Sequence, residues 1–166
     1  VTEGADKFPR FQPHPQLETL RKKAIPWGRK ELTAPWTLPD AAETAWEILL
    51  EIPAQQQTGG LLLQVGSCFA LELTLASRTL HAYARDSGEQ TMQDCGTLQL
   101  APGAPVRLQV FLDRCSAEIF ADGKCLSVNV FDTAPLRPVS LIPQGGTLPL
   151  PLLQVWPLQH VMEPKT

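Results

Sequence analysis

From Phe69 onward, apolar and polar residues alternate with a period of two, the pattern of half-buried β-strands. Phe69, Leu71, Leu73 and Leu75 share one parity, while Ala70, Glu72 and Thr74 take the other. Val106, Leu108, Val110 and Leu112 alternate with Arg107, Gln109, Phe111 and Asp113. Ala117, Ile119 and Ala121 alternate with Ser116, Glu118 and Phe120. Leu126, Val128 and Val130 do so with Ser127, Asn129 and Phe131. Turn-forming pairs bound these runs: Gly59-Gly60, Gly66-Ser67, Ser87-Gly88, Pro102-Gly103 and Asp122-Gly123. Short strands at this spacing predict an all-β fold, a two-sheet antiparallel β-sandwich with each sheet apolar inside and polar outside. The runs Val139–Ile142 and Leu150–Leu158 add edge or closing strands.

The first third reads differently. Val1–Pro13 is irregular, and His14 to Lys23 predicts a short helix. Pro15 suits the first helical position, Leu17 and Leu20 fall on one face, and Lys22-Lys23 favour the negative end of the helix dipole. Pro26 and Gly28 end it. Asp40-Ala41-Ala42-Glu43 has the form of a helix-opening capping box. Yet Trp46, Ile48, Leu50 and Ile52 alternate with Glu47, Leu49 and Glu51, and the strand is the reading adopted here. With no internal repeat, the chain divides into a lead-in with a short helix over 1–30 and a sandwich over 31–166.

The sharpest local signal is Phe120-Ala121-Asp122-Gly123-Lys124-Cys125. Asp-Gly between alternating strands specifies a two-residue hairpin turn whose central residues both take positive φ. Ala121 then faces Lys124, Phe120 faces Cys125, and a Cys115–Cys125 disulfide is excluded by register. The four cysteines lack C-x-x-C spacing and the three histidines lie far apart in sequence, so no metal motif is present. Buried or half-buried free thiols in a cytoplasmic protein are expected.

Composition narrows the partners. Sixteen prolines, about twice the usual share, belong at the turns and strand ends of an all-β domain. A net charge of −3 with no basic run offers no phosphate-neutralising patch, which argues against nucleic acid. No segment reaches the roughly 18 apolar residues of a membrane span. Val1–Arg10 is polar and lacks the apolar core of a secretion signal.

The residues that invite a chemical reading are Asp113, Arg114 and Glu118, two carboxylates with a guanidinium between. Catalysis by such a pair needs a pocket and an acid held protonated. A tight Asp113-Arg114 turn, with Glu118 free to pair with Arg114 or an adjoining domain, is the simpler expectation. Trp46 and Trp156 are expected in the core. His81, in Leu80-His81-Ala82-Tyr83, has the polar parity of a solvated face.

The segment Val110-Phe111-Leu112-Asp113-Arg114-Cys115-Ser116-Ala117-Glu118-Ile119-Phe120-Ala121-Asp122-Gly123 resembles a signature of the C-terminal domain of family 32 glycoside hydrolases. There a strand ending Phe-Val-Asp runs into Arg-Ser-Ser-Val-Glu-Ile-Phe and an Asn-Asp-Gly turn. Arg10-Phe11-Gln12-Pro13 with Gln16-Leu17-Glu18-Thr19-Leu20-Arg21 resembles that family's interdomain linker, and Leu153 to Leu158 its closing strand. Cys115 and Ala117 depart from the usual Ser and Val.

The resemblance implies a concanavalin-like sandwich, with the lead-in as an interdomain linker. It implies an N-terminal five-bladed propeller in the same polypeptide as the principal partner, a contribution to homodimer formation, and no cofactor. The implied parent reaction is hydrolysis of β-fructofuranosides such as sucrose, sucrose 6-phosphate or fructan. Its retaining carboxylate pair, about 5 Å apart, belongs to an Asn-Asp-Pro motif for the nucleophile and a Glu-Cys dipeptide for the acid, with an Arg-Asp-Pro between them, and none of the three occurs here. The chain alone is therefore expected to be inactive. Trp27 and Trp36, beside prolines in irregular chain, are expected either to meet the propeller or to plug one end of the sandwich. The rival reading is a free-standing lectin-like module that binds oligosaccharide through exposed aromatic rings.

Overall fold

A computed structural model describes residues 2–3, 9–39, 45–85, 89, 91–129 and 138–159. The strands are β1 (Thr2–Glu3), β2 (Pro9–Arg10), β3 (Glu31–Leu32), β4 (Trp36–Thr37), β5 (Trp46–Ile52), β6 (Gly60–Val65), β7 (Phe69–Thr74) and β8 (Thr79–Ala84). They continue as β9 (Gln93–Gln99), β10 (Val106–Leu112), β11 (Ser116–Ala121), β12 (Lys124–Asn129), β13 (Val139–Gln144), β14 (Leu148–Pro149) and β15 (Leu152–Pro157). Two antiparallel sheets form the sandwich, a five-stranded one ordered β12-β11-β10-β5-β15 and a six-stranded one ordered β4-β13-β6-β7-β8-β9. Short pairs β1–β2 and β14–β3 lie beside them.

The period of two builds the core. Ile48 of β5 sits between Val110 and Val155, and Leu50 between Leu108 and Leu153. All six belong to one buried cluster with Leu63, Phe69, Leu71, Leu80 and Leu141 of the other sheet. Each such side chain contributes about 1.5–3 kcal/mol when fully removed from water. The alternation at Trp46–Ile52 prevails over the preceding capping-box pattern because both neighbours, β10 and β15, bury the same parity. The box itself, Asp40 to Glu43, lies outside the described residues, as do Ser87-Gly88, Val130 and Phe131.

The Asp-Gly hairpin forms as its sequence requires. Asp122 has φ 51° and Gly123 φ 73°, with Ala121 opposite Lys124 and Phe120 opposite Cys125. Gly60 meets a different constraint, close approach of backbone. A Cβ there would stand 2.1 Å from the Leu73 carbonyl oxygen.

Three expectations are corrected. The helix is a six-residue 3-10 turn, Pro15–Leu20, and does not reach Lys23. Arg21 leaves it with extended backbone, and the chain then pairs along the free edge of β15. Lys22 N–H donates to the Pro157 carbonyl at 2.9 Å and Ile25 N–H to the Val155 carbonyl at 2.8 Å. Trp156 lies on the outer parity of β15, because Leu153 and Val155 fill the core. Of the four cysteines, Cys68 is buried and Cys125 half-buried, but Cys95 and Cys115 are exposed.

Candidate functional site

The outer face of the five-stranded sheet carries the most unusual chemistry of the molecule. Glu47 is fully buried there, the one buried charged residue among those described. Burying a carboxylate is costly unless it is paired and hydrogen-bonded. Three donors meet the requirement: Arg21 Nε gives 2.7 Å to Oε2, Arg21 Nη2 gives 2.6 Å to Oε1, and Gln109 Nε2 gives 2.7 Å to Oε1. The two Arg21 bonds form a fork, the strongest common geometry between these groups. Arg21 also stands 4.1 Å above the Trp156 ring and 3.5 Å from Glu18. Its hydrogen bond to Glu47 holds the guanidinium pKa above its ordinary value.

Register explains the meeting. Glu47 of β5 lies opposite Phe111 of β10 on one side and Trp156 of β15 on the other. Arg21 arrives from the lead-in, tied to the β15 edge by the bridge of Arg21 with Leu158. Further upstream, Phe11 N–H donates to the Gly123 carbonyl at 2.7 Å. The segment from Phe11 to Ile25 therefore crosses the sheet from the β11–β12 hairpin to β15, fastened at Arg21 to Glu47.

Two clefts open beneath this crossing. The larger, about 570 Å³, lies between the lead-in and the sheet, with Phe11, Phe111, Phe120, Arg10 and Arg107 among the residues that line it. The smaller, about 280 Å³, is lined by Asp113, Glu118, Leu20 and Leu158. Leu17 and Phe111 border both. Phe111 and Phe120 meet edge to face, with ring centroids 6.1 Å apart.

The residues singled out in the sequence divide among three places. Asp113 and Glu118 both line the smaller cleft. Asp113 accepts a hydrogen bond from the Arg114 backbone N–H at 2.6 Å, and its own N–H donates to the Ser116 carbonyl at 2.9 Å. Arg114 lies in this turn and is not part of either cleft lining. Trp27 and Trp36 lie elsewhere, packed against the core with ring centroids 4.9 Å apart. Trp27 Nε1 is buried with no acceptor among the described residues, and the Arg29 guanidinium stands 5.8 Å over its ring. Sequence reasoning placed Glu47 on the polar side of its strand and missed the cluster. Its partners lie 26 and 62 residues away, beyond any local motif. His81, on the outer face of the other sheet, approaches Thr97 Oγ1 at 3.0 Å and stacks on Tyr83.

The model of the C-terminal region of family 32 glycosyl hydrolases matches residues 16–157. Among solved structures, the exo-inulinase of Aspergillus awamori superposes with a TM-score of 0.65 at 15% identity. The match covers 89% of this chain and 32% of that enzyme. Sucrose-6-phosphate hydrolase of Lactobacillus gasseri gives 0.65 at 16% identity, covering 90% of this chain and 31% of the enzyme. The chain thus spans about a third of the length of these enzymes. A toad ovary galectin in complex with thio-digalactose shares the fold at a TM-score of 0.50 and 14% identity, over 75% of this chain and 99% of the galectin. No curated protein matches the chain by sequence. Matched from residue 16 to residue 157, the chain belongs to the family of C-terminal domains of the family 32 glycosyl hydrolases.

Proposed function

We propose that the chain is the accessory sandwich of a β-fructofuranosidase, which buttresses a catalytic propeller in the same polypeptide. The observation that carries this reading is proportion. The match takes in about nine-tenths of this chain but about a third of enzymes named exo-inulinase, sucrose-6-phosphate hydrolase and β-fructofuranosidase. The rest of each enzyme has no counterpart here. Hydrolysis of a β-fructofuranosyl bond is the activity we assign to the parent protein, and a supporting role to this part of it.

The strapped lead-in gives that role a physical form. A flexible linker would transmit no stability between domains, whereas a segment pinned at Phe11, Arg21 and Ile25 fixes where the upstream chain leaves the sheet. Residues 1–30 serve in this reading as the interdomain connection. We place the protein in the cytoplasm, a compartment in which cysteines stay reduced. The test is to mix the separately produced upstream domain with this chain and follow heat inactivation of fructoside hydrolysis. The mixture should survive to a higher temperature than the upstream domain alone, and identical inactivation curves would remove the buttressing role.

A further inference from the structure

We propose that Asp122-Gly123 is a latent site of self-modification, held shut by its turn, and that isomerisation there unfastens the lead-in irreversibly. It is the only Asp-Gly pair in the chain, which has no Asn-Gly. Glycine leaves the backbone nitrogen that follows Asp122 sterically open. That nitrogen can attack Cγ of Asp122, forming a five-membered succinimide while a carboxyl oxygen departs as water. Water then opens the ring. Cleavage between the nitrogen and Cγ restores aspartate, and cleavage between the nitrogen and the main-chain carbonyl of Asp122 gives isoaspartate. The backbone then runs through Cβ and Cγ, one methylene longer, with the mass of the chain unchanged.

The closed hairpin denies this reaction its geometry. Asp122 at φ 51° and Gly123 at φ 73° form the turn type in which both central residues take positive φ. That turn sets ψ of its first central residue at about +30°, which leaves Cβ nearly opposite the Gly123 nitrogen about the Cα–C bond. Ring closure needs the two on the same side. The carboxylate is also engaged, because Oδ2 accepts from the Ala101 N–H at 2.6 Å. Arg78 holds that loop in turn, its Nη2 donating to the Ala101 carbonyl and, at 2.9 Å, to the Ala104 carbonyl. Lys124 Nζ ties the hairpin to the Gln99 carbonyl. Isomerisation therefore proceeds only from molecules whose hairpin has opened locally.

The consequence follows from what the turn carries. Its Gly123 carbonyl accepts the Phe11 N–H at 2.7 Å. A backbone longer by one methylene cannot keep a two-residue turn, so this anchor is lost and does not re-form. None of this depends on the buttressing role, whose failure would show in heat inactivation.

The 166-residue chain and a peptide of residues 118–127 would be held at neutral pH and body temperature for several weeks. Isoaspartate is counted with the methyltransferase specific for it and located by electron-transfer fragmentation. It should form at residue 122 at least about tenfold more slowly in the folded chain than in the peptide. Arg78→Gln and Lys124→Gln each release one tether. At least one should keep the native spectrum and speed the reaction about threefold, the scale of one net hydrogen bond. The purified isoaspartyl chain should lose exchange protection at the Phe11 amide and keep it in β6, β7 and β8. Repair to aspartate by the same methyltransferase should restore it. Equal rates in chain and peptide, no acceleration in either variant, or an isoaspartyl chain with Phe11 still protected would overturn the proposal.

Discussion

Arg21 closes on Glu47 through two hydrogen bonds of 2.7 and 2.6 Å, at a point where the carboxylate has no contact with solvent. This pair joins the lead-in to β5, the strand beside the β15 edge of the five-stranded sheet. Removing the guanidinium alone leaves Glu47 buried with only the Gln109 amide. Arg21→Ala should therefore destabilise the fold by about 3–5 kcal/mol, the cost of orphaning a buried charge. Replacing both partners by Met should cost much less, since the desolvation penalty goes with the charges. Urea unfolding of the two variants checks this, and equal losses in both would show that the carboxylate is not stabilised by Arg21.

The β11–β12 hairpin supplies a second, independent test. Gly123 has φ 73°, and a Cβ added there would meet the Arg10 side chain at 3.3 Å. Gly123→Val should lower stability by about 1–3 kcal/mol, through the strain of a β-branched residue at positive φ. An unchanged melting temperature would count against the turn.

Cys125 should resist alkylation. Burial, and secondarily the negative charge of Glu118, push its thiol pKa up. The folded protein thus holds the proton more tightly than the unfolded chain. The resulting stability is fully present below the unfolded thiol pKa and is lost as pH rises through that value toward the folded one. With iodoacetamide on the native protein, exposed Cys95 should react well before Cys125, and the Cys125 rate should rise only at more alkaline pH. Equal rates at neutral pH would contradict the assignment.

The purified chain should release no fructose from sucrose, sucrose 6-phosphate or inulin above a protein-free control. Its sequence contains neither of the motifs expected to carry the nucleophile and acid of such enzymes. Fructose release that follows the protein through purification would falsify the accessory reading.

What was legible in the sequence was what local rules determine. Strands β10 and β11 follow from strict alternation, and the hairpin register from Asp122-Gly123. Strand β9 is polar on both faces, and its pairing shifts between Ala82 and Tyr83, so no period of two marks it. The Leu150–Leu158 run carries apolar residues on both parities. Only its pairing with β5 decides that Leu153 and Val155 enter the core while Trp156 turns out toward Arg21. The Glu47 cluster was illegible for a related reason. Arg21 ends a helical turn, Gln109 sits on a polar parity, and only the folded sheet brings them to one carboxylate.

The central claim is that this sandwich stabilises a catalytic domain through the face its lead-in crosses. Hydrogen exchange on the parent protein, compared with the isolated chain, tests it most directly. Amides from Phe11 to Leu20 should gain protection when the upstream domain is present, while those of β6, β7 and β8 stay the same. Exchange in Phe11–Leu20 that is indifferent to the upstream domain would contradict the account.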